Sequence, residues 1–331
     1  MNKAQKIQGI DFIRIFSIMG IVIYHYVCHA PALQPYMLTF ANNDYGVTFS
    51  HMFLIVSGFC LYYKYSDGQL NVVKFWKKRW LSIFPQFYFT YIVLFVFQTI
   101  INGYWFRGIP VARFLLTLIG MDGFYLHAGH NFYICGEWFL GAIIYMYLLF
   151  PLLRYVVNKV PFLTLIALIV ATKYLNFPIL GYDPTHNVVV SCLYFTIGLI
   201  LAKYIDVIQN KWTIISCAVL SIIMLFVPIP IIIQMGFSLA DLFIVVPFFI
   251  VLLRVGSWFD GTPVVTQGAA LSYMIFLVHH VIIMEVLTHW NRPLIWQAVL
   301  VLFFCVILTV LCAKAFTILY NAFHEKYLKF S

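Results

Sequence analysis

The chain has 331 residues, 63% of them hydrophobic and 9% charged. An ordinary soluble domain carries about 25% charged residues, so this much apolar surface cannot be hidden in a water-soluble core. A mean hydropathy of +0.95 makes lipid the solvent, which excludes a soluble enzyme and a nucleic-acid-binding reading of the formal net charge of +9. The basic residues flank apolar runs, and in that position they report topology.

A span needs about 20 apolar residues. In chain order the apolar runs predict about ten membrane helices, at 9–30, 45–65, 78–101, 137–157, 160–177, 188–205, 212–229, 232–254, 268–288 and 294–318. The run 111–121 (VARFLLTLIGM) is too short to span and reads as an interfacial or re-entrant piece. The first run lacks a small-residue cleavage site, so it reads as a permanent span rather than a signal peptide. Lys64, Lys74, Lys77, Lys78, Arg79, Arg154, Lys159, Lys203, Lys211 and Arg254, with Lys3, Lys6, Lys326 and Lys329, fall on one set of loops; Arg107, Arg113, Arg292 and Lys173 fall on the other. The positive-inside rule then puts both termini in the cytoplasm of a cell-membrane protein. No linker, low-complexity tract or internal repeat interrupts the pattern, so residues 1–331 read as one all-α, polytopic membrane domain with no soluble appendage. The seven cysteines are scattered and form no CxxC. Cys28 and Cys135 fall on the same predicted side, which leaves a disulfide open.

The first span carries Asp11, Arg14 and His25, although an ionisable side chain at bilayer depth costs roughly 2.5–3.5 kcal/mol on insertion scales. Arg14 and His25 are separated by 11 positions, which at about 100° per residue returns to within about 20° of the same helix face. Such a pair reads either as snorkelling and packing or as the lining of a polar groove. Glu137, at the start of the fourth span, is a cap or a partner for a histidine. Asp241 and Glu285 are further carboxylates inside spans. His279 and His280 are adjacent and point about 100° apart, so one of them is expected to face Arg14 and His25. The run KFWKKR at 74–79 reads as a topological signal or as a dock for phosphates, with Trp76 and Trp80 available to an adenine. No HExxH occurs, and His25 and His29 lack a third ligand on their helix, so no metal is expected.

The pattern resembles the membrane acyltransferase-3 family, whose signature is Arg, ten residues, His on the first helix; Arg14 and His25 match it. Phe53-Leu54-Ile55-Val56-Ser57-Gly58-Phe59 is similar to the family's Ser-Gly-Phe run, and Ile83-Phe84-Pro85-Gln86-Phe87-Tyr88 to its Ile-x-Pro-x-x-Tyr segment. Glu137-Trp138-Phe139-Leu140 with Tyr147 and Pro151, and Ser272-Tyr273 with Phe276-Leu277-Val278-His279, resemble two later helices. Two positions depart from it: Ser82 stands where a second arginine is usual after Arg79, and Phe276 where tyrosine is usual. The resemblance implies transfer of an acyl group, acetyl above all, from cytoplasmic acyl-CoA to a hydroxyl of a cell-surface polysaccharide or its lipid-linked precursor. Acetyl-CoA would be a donor substrate, with no tightly bound cofactor. Arg14, Lys77, Lys78 and Arg79 would hold the donor. His25, with Arg14, Glu137 and His279, would carry the chemistry, His25 acting as general base or as acyl carrier. The competing reading is a transporter or exporter; the missing inverted repeat and the ordered motifs weigh against it.

Overall fold

A computed structural model describes residues 7–35, 45–103, 106, 108–175, 177–181, 186–226, 237–290 and 294–327. They form twelve α-helices: α1 (Ile10–His29), α2 (Tyr45–Tyr65), α3 (Val72–Asn102), α4 (Phe114–Leu118), α5 (Trp138–Lys159), α6 (Pro161–Tyr174), α7 (Val188–Lys203), α8 (Ile205–Ile208), α9 (Lys211–Phe226), α10 (Phe237–Gly256), α11 (Pro263–Trp290) and α12 (Ile295–Tyr327). No strand occurs among the described residues, only two isolated bridges, Gly123 with Glu137 and Gly181 with Asn187. The fold is all-α, as expected from a chain whose backbone polar groups must be satisfied within each segment in lipid.

Seven helices, α1, α2, α3, α5, α10, α11 and α12, are long and apolar enough to cross a membrane. The expected spans 160–177, 188–205 and 212–229 correspond to α6, α7 and α9, which have 14, 16 and 16 residues. Sixteen residues rise about 24 Å, short of a hydrocarbon core of about 30 Å. Among the described residues, the expected count of about ten therefore rests on three short apolar helices, of which α9 runs up to the last described residue before 227–236. Residues 227–236, at the junction of two expected spans, lie outside the described residues, as do Lys3, Lys6, Arg107, Arg292 and Lys329 of the charge pattern. The run 111–121 does not span: it is a single 3-10 turn followed by the five-residue α4.

The chain divides into two compact units. The first comprises Met1–Ser17, Val47–Trp76 and Ala142–Ala269. Within it α2 and α7 meet backbone to backbone: a Cβ on Gly58 would lie 2.1 Å from the Phe195 carbonyl oxygen, and one on Gly198 would lie 2.2 Å from that of Ile55. Small residues at a helix crossing allow this approach in lipid, and this accounts for the glycine of the Ser57-Gly58-Phe59 run. Pro151 interrupts α5. Its missing N–H leaves the Tyr147 carbonyl without a helical donor, and the Trp76 indole N–H donates to that oxygen at 3.1 Å.

The second unit comprises Ile18–Gly46, Lys77–Gly141 and Ala270–Ser331. The later parts of α1, α3 and α11, all of α12 and the long segment 103–137 belong to it. That segment is pinned by its own polar groups and by Tyr91 of α3. Arg113 donates to the carbonyls of His130 and Ala128 at 2.7 and 3.0 Å. Asn131 Nδ2 donates to the Asp122 carbonyl at 2.8 Å, and Tyr91 to that of Phe132 at 2.6 Å. Gly123 abuts the backbone of Gly136 and Glu137 so closely that a Cβ there would lie 2.6 Å from the Gly136 oxygen. Glu137 is thus fixed at the mouth of α5 by backbone contacts that only glycines permit.

Candidate active site

Four histidines and a glutamate gather in the second unit. His25 lies near the end of α1, and its ring centroid is 5.1 Å from that of His279 and 5.3 Å from that of His280, both on α11. His29, one turn beyond His25, has its ring 5.7 Å from that of His280. The expectation that only one of the adjacent pair faces His25 is overturned. Side chains about 100° apart on α11 straddle the direction of α1, and each ring reaches His25 from its own side.

The carboxylate of Glu137 closes the group. Its Oε1 is 3.0 Å from His280 Nδ1 and accepts from the Tyr133 hydroxyl at 2.6 Å. Tyr133 also lies 3.4 Å from His280 Nδ1. Burial first, then the charge of Glu137, pushes the Tyr133 hydroxyl well above its usual range, so it stays protonated and donates. Burial would raise the Glu137 carboxyl, but His280, then His25 and His279, outweigh it and hold the group below the usual carboxylate range.

The hydrogen bonds fix tautomers as well. His279 is fully buried, and its Nδ1 lies 2.8 Å from the Phe276 carbonyl. A carbonyl only accepts, so Nδ1 carries the proton and Nε2 keeps a lone pair. That Nε2 is buried and has no hydrogen-bond partner in the described structure. His280 Nδ1, facing a carboxylate, is likewise the protonated nitrogen. The group therefore contains a fixed imidazole lone pair, a carboxylate and a phenol within reach of His25.

One ligand atom each from His25, Glu137 and His279 lie within 4.8 Å of one another, the one such metal-competent set among the described residues. Two imidazoles and a carboxylate are a donor set that zinc accepts. Two donors already crowd Glu137 Oε1, so such an ion would have to use the other oxygen.

Arg14 falls in the first unit, on the early part of α1. Its guanidinium donates to Asp11 at 3.2 Å and approaches Cys60 Sγ at 3.7 Å. The i, i+3 carboxylate is what lets an apolar helix carry this cation. Lys77 and Lys78 are exposed near the start of α3, and Arg79 is half-buried there. Ser82, in place of a second arginine, donates to the Arg79 carbonyl at 2.7 Å. Trp76 spends its N–H on Tyr147, and Trp80 stacks on Phe84 with centroids 3.5 Å apart. Asp241 has its own satisfying shell in the first unit, accepting from Thr48 at 2.6 Å and facing His51 Nδ1 at 2.6 Å. Glu285 accepts from Asn102 at 3.1 Å. Cys28 and Cys135 are thiols, so the disulfide left open by the sequence does not form.

Sequence reasoning missed His29, Tyr133 and the role of His280. His29 carried a signal, its four-residue spacing from His25. Tyr133 carried none, because its approach to Glu137 depends on the turn through Gly136.

No curated protein and no solved structure matches the chain. A family model described as an acyltransferase domain matches residues 7–317, nearly the whole chain, and takes in α1 to α11 with all five groups of motif residues. With that match and its apolar helices, the chain is a membrane acyltransferase and belongs to the acyltransferase-3 family.

Proposed function

We propose that the protein moves an acyl group, most simply acetyl, from cytoplasmic acyl-CoA to a hydroxyl of a cell-surface glycan or its lipid-linked precursor. The observation that carries this reading is the convergence of His25, His279 and His280 on Glu137. An acyl transfer needs a base for the attacking hydroxyl and an acid for the departing thiolate, and imidazole, with an unperturbed pKa of about 6.5, serves both.

In this reading His25 takes the proton of the acceptor hydroxyl as its oxygen attacks the thioester carbon. The carbon–sulfur bond breaks, and the same proton passes to the leaving sulfur, giving an ester and free CoA. Glu137, held by Tyr133, keeps His280 oriented. A positioned base contributes roughly 10²–10⁴-fold. Arg14, 11 positions before His25 on α1, together with Lys77, Lys78 and Arg79, is assigned to the phosphates of the donor. The run of basic loops assigns these cations and both termini to the cytoplasmic face, where acyl-CoA is made.

The test uses purified protein in lipid nanodiscs, acetyl-CoA and the surface glycan fraction of cells lacking the gene. Glycan-dependent release of CoA thiol with one acetyl ester formed per thiol is the expected result. Thiol release without ester, or neither, contradicts the reading.

A further inference from the structure

We propose that the acceptor is a membrane lipid with a neutral, hydroxylated head, which reaches the histidine–glutamate group sideways from the bilayer through a cleft between α3 and α11. This names the substrate of the site above and rests on the acyl-transfer reading. The cleft is a cavity of about 200 Å³ lined by Gln98 of α3, Tyr133 and Ile134, and His280, Val281 and Met284 of α11. It therefore opens directly onto two members of the group. His280 sits in the middle of a membrane-length helix, yet its side chain is 27% exposed.

A second cavity, of about 260 Å³, continues from the first and shares Val281 with it. Its walls include Val93 and Phe97 of α3, Val278 and Ile282 of α11, and Leu308 and Phe316 of α12. Residues 278, 281, 282 and 285 recur at three- and four-residue spacing, so one face of α11 walls the second cavity, and Val281 at its edge borders the first. Apart from Glu285, every residue lining the trough is apolar. Such a trough suits a hydrocarbon chain, and the cleft beside it presents an imidazole and a phenol to whatever head the chain carries.

The rim favours a sugar or polyol over a phospholipid head. Asn102 Nδ2 bridges Gln98 Oε1 at 2.8 Å and Glu285 Oε2 at 3.1 Å, and His289 lies 3.7 Å from Glu285. The Glu285 carboxylate repels a phosphodiester, and with the two amides it offers the acceptors and donors that hydroxyls need. A carboxylate kept inside a membrane helix is itself a mark of a functional site. The donor does not fit here for the same reason. Its phosphates are assigned to Lys77, Lys78 and Arg79 at the other end of α3, and from Arg79 to Gln98 the helix rises about 28 Å.

The experiment uses a hexadecyl glucoside carrying a diazirine in its chain, photolysed with the full-length protein in nanodiscs, and a phosphatidylcholine with the same diazirine chain. The expected result is labelling within 93–98 and 278–286 by the glucoside at concentrations at least tenfold below those the phosphatidylcholine needs. Excess hexadecyl glucoside should abolish the label and methyl glucoside should not. Ile282→Trp should weaken it at least tenfold, and the competition arm stands if that variant fails to fold. Equal labelling by both probes would mean bulk lipid and overturn the proposal. So would cross-links to a second copy of the chain in place of lipid label. The labelling is read without donor, so the two readings fail separately. Label without any acyl transfer would overturn the acyl-transfer reading and the acceptor assignment with it; transfer to soluble glycan without label would overturn the lipid acceptor and its lateral route and leave the acyl-transfer reading standing.

Discussion

His280 Nδ1 lies 3.0 Å from Glu137 Oε1, and the same oxygen accepts from Tyr133. The carboxylate thereby orders an imidazole that is in ring contact with His25. Glu137→Gln should lower turnover by about tenfold or more, on the scale of one charge-assisted hydrogen bond of 1.5–3 kcal/mol. Tyr133→Phe should cost less, because His280 still bonds the carboxylate. Steady-state rates on both variants, beside their acyl-CoA affinities, check this; equal kcat in Glu137→Gln and wild type contradicts it.

His280→Ala should impair catalysis as much as His279→Ala. The family resemblance singles out His279, but His280 is the one paired with Glu137, and both rings contact His25. Turnover of the two single variants, each with its melting temperature in detergent, decides between a shared role and a single one.

The basic run makes a salt-dependent prediction. Two exposed charges and one half-buried one, at about 0.5 kcal/mol each, amount to about tenfold in affinity. Lys77→Gln, Lys78→Gln and Arg79→Gln together should therefore raise the KM for acyl-CoA about tenfold at low salt, with a smaller effect at 0.5 M salt, where charges are screened. An unchanged KM at low salt moves the donor site elsewhere.

Much of this was legible in the sequence, for physical reasons. A lipid solvent enforces long apolar runs, so α1, α2, α3, α5, α11 and α12 stand close to where hydropathy puts them. Arg14 and His25 were visible because a bilayer makes each costly. What was hidden is what depends on long-range packing. The carbonyl that Pro151 frees at Tyr147 could be read, but not that Trp76 would fill it. Asp241 looked like a site candidate, while its partners Thr48 and His51 come from a helix about 190 positions away. The turn that sets Tyr133 against Glu137 needs the left-handed φ of Gly136 and carries no periodicity.

Asp122 supplies a pH dependence outside the helices. It is buried, and that burial pushes its carboxyl from 3.8 up to about 6, with Thr117 opposing. The folded form therefore binds the proton more tightly than the unfolded chain, so this group's contribution to stability falls as pH rises from about 4 through about 6. Asp122→Asn should flatten the melting temperature across that window and raise it above pH 6. Melting curves at pH 4.5 and 7.5 read the difference; a steeper fall in the variant contradicts the assignment.

Gly58→Val should destabilise by about 1–3 kcal/mol or more, the range for overpacking, since even a Cβ there lies 2.1 Å from the Phe195 oxygen. A lowered melting temperature in detergent, with activity per folded molecule unchanged, is the expected result.

In the proposed reaction His25, Glu137 and His279 handle protons, although one ligand atom of each lies within 4.8 Å of the others. Activity should survive dialysis against a chelator, and the active protein should hold well under one equivalent of zinc by mass spectrometry. Loss of activity restored by zinc alone would reassign the trio as ligands.

The role of His25 as the base is put to the test by His25→Ala in nanodiscs, measuring acyl transfer, acyl-CoA affinity and melting temperature on the same sample. Transfer should fall by about 10²-fold or more, with donor affinity and melting temperature nearly unchanged. A folded His25→Ala protein that transfers acyl groups at near the wild-type rate would contradict it.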